Sequence, residues 1–81
     1  MSRGNLVIMK KIFGKRLRKL RKARDLKGIE LAAAVSISQS SLSQIETGNM
    51  GPSLDTMVAI ADYLNVSLDY LTGRTDNEEI T

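Results

Sequence analysis

The sequence predicts a compact all-α domain of five short helices. Three observations point to it. Apolar residues recur at spacings of three and four along most of the chain. Serines stand at 38, 53 and 67, directly ahead of such runs, where their side chains can cap helix N-termini. Gly48, Asn65 and Gly73 follow the runs, as helix stops do. With 42% hydrophobic and 26% charged residues, the 81 positions suit one small folded domain rather than a disordered chain.

The first helix is expected from Ile12 to Arg24, with Ile12, Phe13, Leu17, Leu20 and Ala23 facing inward and a basic outer face. Residues 1–11 have no deciding pattern and read as a leader, flexible or holding a short strand at Leu6-Val7-Ile8. Met9 is a second possible start. A second helix covers 28–35, with Leu31, Ala32 and Val35 on one side, and Ser36 interrupts it. The third runs over about 39–46 behind the Ser38 cap, and Ile37 is placed to staple onto Leu42. Leu42 and Ile45 are its only apolar positions, and Gly48 stops it. After the 49–52 loop, Ser53 caps a fourth helix to about Leu64, with Asp55 near the positive end of the helix dipole. Ser67 caps a short fifth helix, with Val66 and Leu71 as a second staple pair. The folded domain is thus read as 12–73, and 74–81 as a frayed polar tail.

Charge is strongly segregated. Eleven of the 12 basic residues lie at or before Lys27, against one acid, Asp25. From residue 28 onward there is one basic residue, Arg74, against eight acids. Such a split suits a polyanion on one face, although a solvated basic helix would give the same count.

Several functions are excluded by residue type. The chain has no Cys and no His, which removes disulfides, thiol nucleophiles, thiolate or imidazole metal sites and the usual general base. Without a phosphate-cradling glycine loop as well, the sequence reads as a non-enzyme with no cofactor and no metal. No apolar run approaches the ~20 residues that span a bilayer, and the first residues lack the features of a secretory signal. A cytoplasmic, nucleoid-associated protein without membrane contact is expected.

The connection between the second and third helices is only Ser36-Ile37-Ser38. So short a turn makes the helices cross steeply over a small apolar contact. Ala32 permits close approach, and Leu31, Val35, Ile37, Leu42 and Ile45 supply the contact. This is the spacing of a helix-turn-helix, whose second helix enters the DNA major groove.

On these residues the chain resembles the phage repressor/Cro-type (Xre-like) helix-turn-helix family. The resemblance runs through Glu30-Leu31-Ala32, Ile37-Ser38, Leu42-Ser43-Gln44-Ile45-Glu46-Thr47-Gly48, Pro52-Ser53-Leu54-Asp55-Thr56 and Leu64–Leu71. With Phe13, Arg16, Leu17, Leu20 and Arg21 it covers about three quarters of the chain. Two positions depart from the family pattern. Ser36 stands where Gly is common in the turn, so it must accept a left-handed backbone if the geometry is kept. Gly28 opens the second helix where Gln often holds a phosphate, leaving that work to the helix-end amides and Lys27.

An exposed helix face of Gln and Ser suits base edges better than it suits solubility. Gln can pair bidentately with adenine, and Ser can donate or accept. The resemblance places Gln39, Ser40 and Gln44 at base-reading positions with Ser43 beside them. Lys27, Gly28, Ser41, Thr47 and Asn49 are the phosphate candidates. Part of the basic set on the first helix joins them, while most of Lys15, Arg18, Lys19 and Lys22 are expected to act through long-range field. The resemblance also implies a partly buried ion pair between Arg21 and Glu46 that orients the third helix.

The expected function is therefore a sequence-specific transcriptional regulator, most simply a repressor, bound to double-stranded DNA as a homodimer on a near-palindrome. Tyr63, Val66, Leu68, Tyr70 and Leu71 form the expected dimer surface, though Leu68 and Leu71 also fit a core. The alternative is an antitoxin-like or adaptor module that uses the same fold to hold a co-encoded protein. The chain reads either as a minimal regulator or as the DNA-binding part of a longer repressor.

Overall fold

The computed structural model describes residues 3–80. Among them are five helices and no strand: α1 (Arg3–Ala23), α2 (Gly28–Ala34), α3 (Gln39–Thr47), α4 (Leu54–Leu64) and α5 (Leu68–Leu71). The predicted helix starts hold for the last four, three of them behind serine caps. Ser38, Ser53 and Ser67 each accept a hydrogen bond from the backbone N–H three residues on, at 3.0, 3.2 and 3.0 Å. Gly48 and Asn65 end α3 and α4 with left-handed backbones, φ +82° and +56°.

Leu17, Leu31, Leu42, Ile45, Ile60, Leu64 and Leu71 form the fully buried centre of one core. Phe13, Leu20, Ala32, Val35, Ala61, Val66 and Tyr70 close around it. Every helix contributes, so the small α2–α3 contact does not stand alone.

Both flanks differ from expectation. The first helix begins at Arg3, not Ile12, and Leu6-Val7-Ile8 is helical rather than a strand. A strand there would have no neighbour with which to pair its backbone. The helix instead sets Leu6, Met9 and Phe13, at i, i+3 and i+7, along an apolar recess shared with Gly51, Pro52, Met57 and Thr72. The possible leader at Met1 and Ser2 lies outside the described residues.

The tail is held rather than frayed through residue 78. The Arg16 guanidinium donates to the Tyr70 carbonyl at 2.5 Å, to the Thr75 carbonyl at 2.6 Å and to the Asp76 carboxylate at 2.9 Å. It also lies over the Tyr70 ring, 4.4 Å from the centroid. The Ser67 N–H donates to the Glu78 carbonyl at 2.9 Å, returning the chain to the start of α5.

The expected dimer surface is corrected in part. Val66, Tyr70 and Leu71 are buried within the single chain and leave little area for a partner. Helix α5 is too short to have two apolar faces, so the core takes the one it has. Tyr63 stays exposed and Leu68 half-buried.

Candidate nucleic-acid interface

Local backbone geometry builds the site. Val35 leaves the helical region as the C-cap of α2, and Ser36 turns the chain with φ +61°. The Ile37 N–H then donates to the Ala32 carbonyl at 2.9 Å, and Ser38 opens α3. Ser36 thus takes the left-handed conformation expected of it. Leu31 and Ala32 are buried between the two helices.

Because α3 buries only Leu42 and Ile45, its opposite side is free. Gln39, Ser40, Ser43, Gln44 and Thr47 are all exposed, forming one surface of amides and hydroxyls. Ser41 is half-buried and takes part in the cap: its N–H donates to Ser38 Oγ at 3.0 Å, and its own Oγ accepts from the Ser38 hydroxyl at 2.9 Å. The Thr47 hydroxyl donates to the Gln44 carbonyl at 3.1 Å, which fixes its rotamer. The Asn49 N–H donates to the same carbonyl at 3.0 Å while its side chain stays exposed.

At the other end of the site, Lys27 is the exposed N-cap of α2, with its N–H bonded to Glu30 Oε1 at 2.9 Å. The cap is one-sided, since an ammonium cannot accept a bond from the helix amides. Gly28 is the first residue of α2, and a Cβ there would meet only Leu42 Cδ2, at 3.8 Å. Glycine is therefore tolerated rather than required at this position.

The expected ion pair is present and largely enclosed. Arg21 Nε donates to Glu46 Oε2 at 2.7 Å and Nη2 to Oε1 at 3.0 Å, while Nη1 donates to the Leu26 carbonyl at 2.9 Å. The side chains are only 14% and 9% exposed. The Glu46 hydrogen bond holds the Arg21 guanidinium above its ordinary pKa, against the opposing effect of burial. This bidentate pair ties the last turn of α3 to α1.

One residue of the basic set lies nearer the site than its expected long-range role required, and one packing residue escaped the sequence reading. Arg18 lines an open recess together with Gly28, Gln39, Ser43 and Thr47, which places it at the edge of the α3 surface. Gly14 is buried where α1 crosses the end of α3; a Cβ would overlap the Ile45 carbonyl oxygen and come within 2.7 Å of that of Glu46. The available signal was a glycine inside a strong helical run, which costs ~1 kcal/mol relative to Ala and so asks for a packing reason. Among the described residues, no group of three acidic side chains is placed to hold a metal ion.

Two packed helices joined by a short turn, the second with a polar outer face and tied to α1 by an ion pair, define a helix-turn-helix protein. The helix-turn-helix family model HTH_3 matches residues 17–71, and the chain belongs to this family. It is 38% identical over 68 residues to the HTH-type transcriptional regulator YobD of Bacillus subtilis, a match covering 84% of this chain and 61% of YobD. It is 35% identical over 60 residues to the immunity repressor of Bacillus phage phi105, covering 74% of this chain and 42% of the repressor. The match thus spans less than two thirds of the length of either relative. Among solved structures, the P22 c2 repressor bound to a synthetic operator superposes with a TM-score of 0.70 at 30% identity, covering 73% of this chain and 89% of that one. The relatives include transcriptional regulators and phage repressors.

Proposed function

We propose that the chain is a sequence-specific DNA-binding regulator, most simply a repressor, that inserts α3 into the major groove. The observation that carries this reading is the exposed polar surface of α3, held in a fixed direction by Arg21 and Glu46. Gln39, Ser40, Ser43 and Gln44 read base edges. Lys27, the Gly28 end of α2, Ser41, Thr47 and Asn49 meet the phosphates on either side, with Arg18 beside them. Since α3 has no Lys or Arg, affinity comes from those flanking groups and falls steeply with salt. The operator-bound phage repressor with a similar structure supports this arrangement.

One helix-turn-helix covers about half a site, so two copies bind a near-palindrome with half-site centres ~34 Å apart. The surface that serves a second copy is the α4–α5 side. There Val58, Leu68 and Ile80 line one shallow recess, with Leu54 a turn before Val58 and Tyr63 exposed further along α4.

Fluorescence anisotropy on labelled duplexes tests the function. A duplex selected from a random pool should bind at least ~10³-fold tighter than a scrambled one at the same salt concentration. Equal affinity for both would overturn the reading. So would a stable complex with a co-encoded protein that survives substitution of Gln39 and Gln44, if DNA binding were absent.

A further inference from the structure

We propose that Lys10 and Lys11 are two further contacts for the phosphodiester backbone of the bound duplex, flanking the base pairs reached by α3. The inference rests on the DNA-binding reading above. Both lysines belong to the early part of α1, ahead of the family-matched segment 17–71. Their placement follows from the helical turns of α1 that precede Ile12.

Those turns carry the lysines across the loop between α3 and α4. A Cβ at Gly48 would stand 2.9 Å from Lys11 Cγ and 3.1 Å from Lys11 Cα. A Cβ at Gly51 would stand 3.2 Å from Lys10 Cε and 3.4 Å from Lys10 Cγ. The two glycines therefore leave room for the two lysine stems to lie on the loop. Gly48 is flanked by Thr47 and Asn49, two exposed phosphate candidates. Lys11 thus adds a cation beside groups already directed at the backbone, and Lys10 extends the charge along the same loop.

Nothing in the described structure neutralises this charge. Lys10 and Lys11 are exposed, and neither takes part in a salt bridge among the described residues. Their helix is also anchored: Leu6, Met9 and Phe13 face the recess beside Pro52 and Met57. The cations are carried on an ordered element, so binding them to phosphate immobilises less chain than a loose arm would.

The test compares the parent chain with K10Q, K11Q and the double variant on one duplex selected by the parent. Affinity is measured between about 50 and 200 mM KCl, a range of about fourfold. Circular dichroism and Tm, which these exposed replacements should leave unchanged, establish that each variant is folded. Each lost contact should reduce the slope of log affinity against log salt by ~0.9. Across that range the parent should lose roughly twelvefold more affinity than the double variant. The ranking of duplexes with single base-pair changes should be the same for both proteins. Equal slopes for parent and double variant would overturn the proposal, as would an altered ranking, which would place the lysines behind α3 rather than on the backbone. A parent chain without any duplex preference would defeat the base-reading function instead, and the slopes would still decide the lysine contacts.

Discussion

Arg21 on α1 and Glu46 at the end of α3 share two parallel hydrogen bonds, 2.7 and 3.0 Å long, while the third arm of the guanidinium holds the Leu26 carbonyl. Removing one partner leaves the other charge largely enclosed, so Glu46→Ala should destabilise the fold by ~3–5 kcal/mol. Urea unfolding measures this. The raised pKa of Arg21 means that its stabilisation is complete below its ordinary value and is lost only as pH rises through the still higher folded value. Arg21 therefore adds no slope to stability between about pH 6 and pH 9.

Gly14→Ala sets a gain against a clash. Helix propensity improves by ~1 kcal/mol, but the new methyl overlaps the Ile45 carbonyl oxygen. The overlap is with backbone, which no rotamer change relieves, so a net loss of ~1–3 kcal/mol is expected. Thermal denaturation should show a lower Tm. An unchanged or higher Tm would mean that α1 and α3 can separate freely.

Ser36→Gly should have the opposite sign. Ser36 holds φ +61°, a conformation costing ~1–2 kcal/mol for a residue with a Cβ. Part of the relief is offset by the greater freedom of glycine in the unfolded chain. The net gain should be ~0.5–1 kcal/mol by urea unfolding, with DNA affinity retained.

Arg16→Ala should release the segment after α5. The guanidinium is the shared donor to Tyr70, Thr75 and Asp76, and hydrogen bonds to a charged group contribute ~1.5–3 kcal/mol. Hydrogen exchange should show faster backbone exchange through residues 74–79 and little change in α3.

Much of the fold was legible because its signals are local. Ser38, Ser53 and Ser67 cap where a serine ahead of an apolar run should. The exposed Gln and Ser of α3 could be read because only Leu42 and Ile45 interrupt them. The misreadings depend on contacts distant in sequence. Whether Leu6-Val7-Ile8 is helix or strand is decided by Pro52 and Met57, more than 40 residues away. The tail is ordered by Arg16, and Tyr70 and Leu71 fall to the core because a four-residue helix cannot serve both core and partner, while Val66 is buried with them just ahead of the Ser67 cap. Gly14 was visible as an anomaly, but its neighbour on α3 was not.

The most direct measurement compares Gln44→Ala and Lys27→Ala with the parent chain on a selected duplex and all its single base-pair variants. Gln44→Ala should lose ~1–3 kcal/mol and relax discrimination at one base position, whereas Lys27→Ala should weaken every duplex alike. A Gln44→Ala protein that keeps the full base preference of the parent would contradict the assignment of α3 as the reading surface.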